Sequence, residues 1–197
     1  METMQEIKPL IAYINHFVVM SPEEEFILSQ HVTVRNYLKK QYVLQQGDIC
    51  THESFVIKGC LNTFFVNSEG DNFVGSFAVE NWWVVDLESF INQTPADFNI
   101  QCLENCTLAQ ISRQNSQLLY EKIPKLERVF RMMLQQAFCF SQKRIVNNLS
   151  KAAKDRYLDF KNQFPEIERR VPQYLIASYL GITREFLSKI KAQTIFD

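Results

Sequence analysis

Residues 170–193 read RVPQYLIASYLGITREFLSKIKAQ. Pro172 suits the start of a helix, and Leu175, Ile176 and Tyr179 or Leu180 give that helix an apolar side. Gly181 permits a sharp turn, Ile182 plugs beneath it, and Thr183 caps a second helix whose Leu187 and Ile190 face inward. Counted from Gln173 as position one, a small residue falls at five (Ala177), glycine at nine (Gly181) and aliphatics at fifteen and eighteen (Leu187, Ile190). A helix-turn-helix needs close helix approach, a turn and core contacts at those places. An ordinary helical hairpin with a solvated charged face meets one or two of them by chance, not four. The outward side of the second helix carries Arg184, Glu185, Ser188, Lys189 and Lys191. Arginine can grip guanine O6 and N7 in a fork, glutamate can accept from cytosine N4, and serine and lysine can reach bases or phosphates. With Gln173 and Thr183 at the two helix starts, these are the candidate DNA-contacting residues.

Charge points the same way. The net charge of −1 hides 11 basic against 6 acidic residues from Lys143 onward, and 10 against 16 before it. An acidic body with a basic end suggests nucleic acid as the partner of that end. Upstream, KLERVFRMMLQQAFCFSQKRIVNNL places Leu126, Phe130, Met133, Ala137 and Phe140 at alternating spacings of four and three. That is an a/d seam, widened by Val129, Leu134, Phe138 and Ile145. A parallel homodimer through the seam is expected; an ordinary buried helix is the simpler alternative. KAAKDRYLDFKNQFPEI then reads as a further helix stopped near Pro165.

From about His31 to Ser112 the texture is short β-rich runs: HVTVRNYL, QYVLQ, SFVIKG, CLNTFFVN, NFVGSFA, FNIQCLE and CTLAQIS. Turn chemistry at Gln46-Gly47-Asp48, Lys58-Gly59 and Ser68-Glu69-Gly70-Asp71 separates them. Seven or eight short strands at nearly regular spacing predict an antiparallel barrel or roll. Before them, SPEEEFILSQHV opens a helix, with Ser21 as N-cap, Pro22 at the first position and Glu24 completing a capping box.

Five cysteines without a C-x-x-C pair argue against a disulfide framework and a zinc ribbon. The histidines stand apart at 16, 31 and 52, so their pattern assembles no cupin-like metal cage. No G-x-S-x-G, P-loop or H-E-x-x-H motif is present, and enzymatic activity is not expected. Glu2 and Glu6 do not fit a signal peptide, and no run approaches about 18 apolar residues. A cytoplasmic chain with no membrane partner fits best.

A β-roll, a long dimer helix and a terminal helix-turn-helix, in that order, resemble the bacterial Crp-Fnr regulators. GITREFLSKI is similar to that family's recognition motif; Gly47, Gly59, Gly70 and LAQIS at 108–112 match its roll. The resemblance implies an α+β fold: N-terminal helices with a cyclic-nucleotide-binding-like antiparallel roll as sensor domain (1–120), a dimerisation helix (121–149) and a helix-turn-helix DNA-binding domain (150–197). By it, Arg184, Glu185 and Lys189 occupy base-reading positions. Double-stranded DNA, a twin chain, RNA polymerase and a small-molecule effector are the implied partners. No cysteine precedes Cys50, so the N-terminal cluster ligands of related iron–sulfur sensors are missing, and no cofactor is expected.

Two departures stand out. The family follows its second helix with a β-hairpin wing, and only TIFD remains here, so no wing is evident. Lys143, Arg144, Lys151, Lys154, Arg169 and Arg170 are the substitutes for its phosphate contacts. The family's nucleotide sensors hold ribose with a glutamate and phosphate with an arginine. In FAVENWWVVDLESFINQTPADFNIQ, Glu80 falls at the ribose position, but Val79 replaces the usual glycine and Ala96-Asp97 the Arg-Ser pair. From Gly59 through Ser112 there is no Lys or Arg among seven acids. A phosphate buried there would be desolvated without a cation, so cyclic AMP is not the expected ligand. Only Lys58, Arg113, Arg128 or Arg131 stands ready to supply one. Phe64, Phe73, Phe77, Trp82 and Trp83, with Glu80, Asn81, Ala96 and Asp97, form the candidate effector pocket; simple core filling is the alternative for the aromatics. An interaction roll whose helix-turn-helix no longer binds DNA is the competing function.

Overall fold

Each of the seven β-rich runs becomes a strand. The computed structural model describes residues 2–194; Ile195–Asp197, on which the expectation of a missing wing bears, lie outside the described residues. Three helices come first: α1 (Glu2–Glu6), α2 (Lys8–Asn15) and α3 (Pro22–His31). The roll follows as β1 (Thr33–Tyr37), β2 (Tyr42–Leu44), β3 (His52–Lys58), β4 (Leu61–Val66), β5 (Asn72–Ala78), β6 (Trp83–Val84), α4 (Leu87–Asn92), β7 (Asn99–Cys102) and β8 (Cys106–Ser112). The rest is α5 (Arg113–Lys122), α6 (Lys125–Ser150), α7 (Ala153–Gln163), α8 (Pro165–Arg170), α9 (Gln173–Leu180) and α10 (Arg184–Thr194).

Local chemistry sets the boundaries. Ser21 Oγ accepts the Glu24 N–H, and the Glu24 carboxylate accepts the Ser21 N–H at 2.6 Å, which is the expected capping box. Gly59, between β3 and β4, has φ +109°, and a Cβ there would lie 2.5 Å from Cys106 Sγ and 2.9 Å from the Asn105 carbonyl oxygen. Only glycine closes that turn.

The strands form two antiparallel four-stranded sheets, ordered β1-β8-β3-β6 and β2-β7-β4-β5. Their facing sides bury Leu44, Val56, Leu61, Phe90, Ile100 and Leu108 as the roll's interior. Alternation along β3 turns Val56 inward, and turns Glu53 and Phe55 out toward the helical layer. There Phe55 joins Leu10, Ile14, Leu28, Leu119, Leu126 and Val129 in a second core. Each such side chain contributes about 1.5–3 kcal/mol on burial.

The row of α6 expected to meet a twin helix is largely turned toward its own chain. Leu126 is buried in the core, Phe130 packs edge-on against Trp83 and Tyr120, Met133 rests on the same cluster, and Phe140 packs on Phe164. Ala137 is exposed. The apolar row left in solvent is Leu134, Phe138, Ile145, Val146 and Leu149, with Phe138 63% and Leu149 84% exposed. The helix is apolar on two sides, and four-and-three spacing alone does not say which side the roll covers.

The C-terminal unit is not a free appendage. A third core joins Phe64, Val74 and Phe77 of the roll to Tyr157, Phe160, Ile176 and Leu180. Ser178 Oγ accepts the Val74 N–H and donates to the Asn72 carbonyl, both at 3.0 Å, fixing α9 on β5. Arg144 on α6 donates to the carbonyls of Gly75 and Tyr179 and lies over the Tyr179 ring, 4.1 Å from its centroid.

Candidate nucleic-acid interface and sensor cleft

The α9–α10 pair has the geometry its residues demand. Gly181 takes the left-handed φ of +66°, ending α9, while its N–H and that of Ile182 return to the carbonyls of Ser178 and Ala177. Thr183 Oγ1 accepts the Phe186 N–H and caps α10. Leu187 and Ile190 are buried in the same core as Ile176 and Leu180. Opposite them, Arg184, Glu185, Ser188 and Lys189 are exposed and adjacent on one helical surface. Among the described residues, the side chains of Arg184 and Lys189 make no ion pair.

The remaining sequence candidates divide. Thr183 is exposed beside this face as the cap. Gln173 is half-buried at the start of α9, with its Oε1 enclosed and without a hydrogen bond. Lys191 turns back on its own unit, pairing with Glu168 at 2.7 Å and lying over the Tyr157 ring. Of the basic residues offered as wing substitutes, Arg144 and Arg170 are spent on the roll, Lys151 pairs with Asp159 and Arg169 with Glu166. Lys143 is exposed on α6.

Arg170 supplies the cation that residues 59–112 lack. Its Nη1 and Nη2 donate to Glu80 Oε2 and Oε1 at 2.7 and 3.0 Å, and its Nε and Nη2 to Glu104 at 3.1 and 2.8 Å. Glu80 Oε1 also accepts the Gly59 N–H at 2.8 Å. Burial alone would raise the Glu80 carboxyl, but these hydrogen bonds and the guanidinium charge outweigh it and bring it down to about 2. The carboxylate at the expected ribose position is therefore already engaged within the chain. The sequence alone points to Lys58, Arg113, Arg128 or Arg131 for this place; the cation is Arg170, one of the residues expected at DNA phosphates.

The candidate effector residues do not converge on one cavity. Phe64 and Phe77 fill the core shared with the C-terminal unit, Phe73 stacks on Phe65 at the surface, and Trp82 packs on Phe164. Asn81 holds φ +68° in the turn after β5, Ala96 is buried inside the roll, and the Asp97 N–H donates to Asp86. Trp83 alone among them borders an open cleft of about 530 Å³ between α4, α5 and α6. Its walls are mostly apolar: Trp83, Val85, Leu87, Phe90, Ile91, Tyr120, Phe130, Met133 and Ala137, with Glu53, Ser116 and Arg113 among the polar residues. Burial pushes the Glu53 carboxyl up to about 7, only partly offset by a 2.7 Å hydrogen bond from Ser116 Oγ. Glu53 was not singled out from sequence; its signal is a lone acid on a strand whose next three residues are all buried.

Residues 34–122 match the family model of the cyclic nucleotide-binding domain. No curated protein sequence matches the chain. Among solved structures, it is similar to the c-di-GMP-responsive global regulator CLP of Xanthomonas campestris, with 17% identity, a TM-score of 0.72, and 90% of this chain and 93% of that chain covered. It is also similar to FixK2 from Bradyrhizobium japonicum, with 15% identity, a TM-score of 0.70, and 82% and 83% covered. A mutant CooA from Carboxydothermus hydrogenoformans matches at 18% identity and a TM-score of 0.66, covering 85% of this chain and 78% of that one. These three are Crp-Fnr regulators, and the chain shares their fold.

Proposed function

We propose that this chain, built on the fold of the Crp-Fnr regulators, is a sequence-specific DNA-binding transcription regulator acting as a homodimer. One observation carries the proposal. On the outer face of α10, Arg184, Glu185, Ser188 and Lys189 stand exposed beyond a helix-turn-helix core completed by Leu187 and Ile190. Arg184 suits guanine and Glu185 suits cytosine in a major groove, with Lys189 on phosphate or base. Lys191, committed to Glu168, is left out of the reading set. The exposed row Leu134, Phe138, Ile145, Val146 and Leu149 is the surface offered to a twin α6. Two recognition helices would then address half-sites about 34 Å apart, one turn of duplex. Effector binding would shift the pose of α6, and with it the spacing of the two readers.

Selection of bound sequences from random duplexes with the full chain tests reading and symmetry together. A two-fold symmetric consensus is expected, with affinity falling steeply as salt rises. Absence of any binding at low salt would favour the competing reading, an interaction roll whose helix-turn-helix is no longer used.

A further inference from the structure

The cleft between the roll and α6 contains a carboxylate in an unusual position. Glu53 is 7% exposed, yet Ser116 is its only hydrogen-bond partner among the described residues, through Oε1, and nothing reaches Oε2. Asp86, the other buried acid, differs: it accepts the N–H groups of Ser89, Asp97 and Phe98. Among the described residues, no lysine or arginine pairs with Glu53. Beside it, Trp83, Phe130 and Tyr120 form a continuous aromatic wall, with successive ring centroids 5.3 and 5.4 Å apart. The Trp83 indole N–H is itself buried without a partner.

We propose that this cleft binds a small organic amine, an apolar or aromatic body bearing one protonated nitrogen that sits on Glu53 Oε2 against the rings of Trp83, Phe130 and Tyr120. A desolvated carboxylate with an empty acceptor is stabilised most by a cationic donor, and aromatic faces attract the same charge. An anion would meet Glu53 across an apolar interior, where repulsion is least screened. A volume of about 530 Å³ lies in the range of small-molecule sites and far exceeds a bare ion. No group of three metal-ligating side chains lies together among the described residues. Arg113 borders the same cleft but is solvent-exposed and unpaired with Glu53, so it disfavours a second positive charge near the mouth. Phe130, Met133 and Ala137 make α6 one wall, so an occupant bears on the helix that leads to the DNA-reading unit. As the effector site it rests on the regulator reading above; as a binding site it stands without it.

The test uses the full chain, without DNA, so failure of the cleft and failure of DNA reading are separable. Thermal shift and calorimetric titration at pH 8 compare 2-phenylethylamine with 2-phenylethanol and 3-phenylpropionate, similar bodies with different heads. The amine is expected to bind saturably and to raise the melting temperature, with the alcohol and acid at least about tenfold weaker. Glu53→Gln, which retains an acceptor for Ser116, should remove the amine's advantage and leave the alcohol unchanged. Ala137→Phe, on an exposed position, should fill the cleft and weaken the amine with Glu53 intact. Equal binding of amine and alcohol, undiminished amine binding in Glu53→Gln, or no binding by any probe overturns the proposal.

Discussion

Replacing Arg170 by alanine removes one guanidinium that holds two carboxylates and joins α8 to the roll. Glu80 sits at about 2 in the folded chain against an ordinary 4.5. At about 1.36 kcal/mol per unit the whole shift would correspond to roughly 3.4 kcal/mol. With 37% of the Glu80 side chain exposed, solvent screening reduces this to about 1–2 kcal/mol. Glu104, equally exposed, adds about 0.5–1 kcal/mol. Arg170→Ala should therefore lower unfolding free energy by about 2 kcal/mol at pH 7. The sign with pH follows from a folded-state pKa that is lowered: the Glu80 contribution is complete above its unfolded value and is lost as pH falls through about 2. Urea titrations of both proteins at pH 7 and pH 3 should thus show a gap that narrows in acid. A double-mutant cycle with Glu80→Gln, which still accepts from Gly59, should give a coupling of about 1 kcal/mol. A gap unchanged between the two pH values, together with additive single effects, would show that Arg170 acts by packing and that the ion pair is idle.

Arg184→Ala should weaken binding to a selected operator by about 1–3 kcal/mol and barely affect random duplex, whereas Lys191→Ala should cost under about 1 kcal/mol of stability and leave operator preference intact; quantitative footprinting and urea titration check the pair. Phe138→Glu puts a charge in the exposed α6 row and should shift the chain to monomer in sedimentation equilibrium, with a melting temperature that no longer rises with protein concentration; an unchanged dimer would place the twin contact elsewhere. Glu53 has a folded-state pKa raised to about 7, so stability is complete below its ordinary 4.5 and should fall as pH rises through 7, by up to about 3 kcal/mol. Glu53→Gln should flatten that fall, read by thermal melts from pH 5 to 8. Millimolar cyclic AMP should leave the melting temperature unchanged, because Arg170 already holds Glu80 and residues 59–112 offer the phosphate no cation; a clear rise would show that the latch yields to nucleotide.

Periodicity and turn chemistry carried the local structure. The seven strand runs, the Ser21 capping box and the Gly181 turn each depend on neighbours within a few residues, and each appears as read. The strand missed, Trp83–Val84, is two residues long, too short for alternation to register. What sequence did not disclose was the partner of each buried or charged side chain. A four-and-three row on α6 says only that Leu126, Phe130 and Met133 avoid water. The roll supplied that shelter, leaving Leu134, Phe138, Ile145 and Leu149 as the apolar surplus. The same ambiguity affected the basic residues near the C-terminus. Arg170 and Lys191 read as free cations because their carboxylates, Glu80 and Glu168, stand 90 and 23 residues away. Yet one signal was present. Seven acids stand without a cation from Gly59 to Ser112, and the charge excess beginning at Lys143 is the chain's own source of one, as Arg170 on Glu80 and Glu104 shows. The acidic body and the basic end thus serve each other before either meets a ligand. Among the described residues, Arg184 and Lys189 on the face of α10 that the roll does not reach stay outside this exchange.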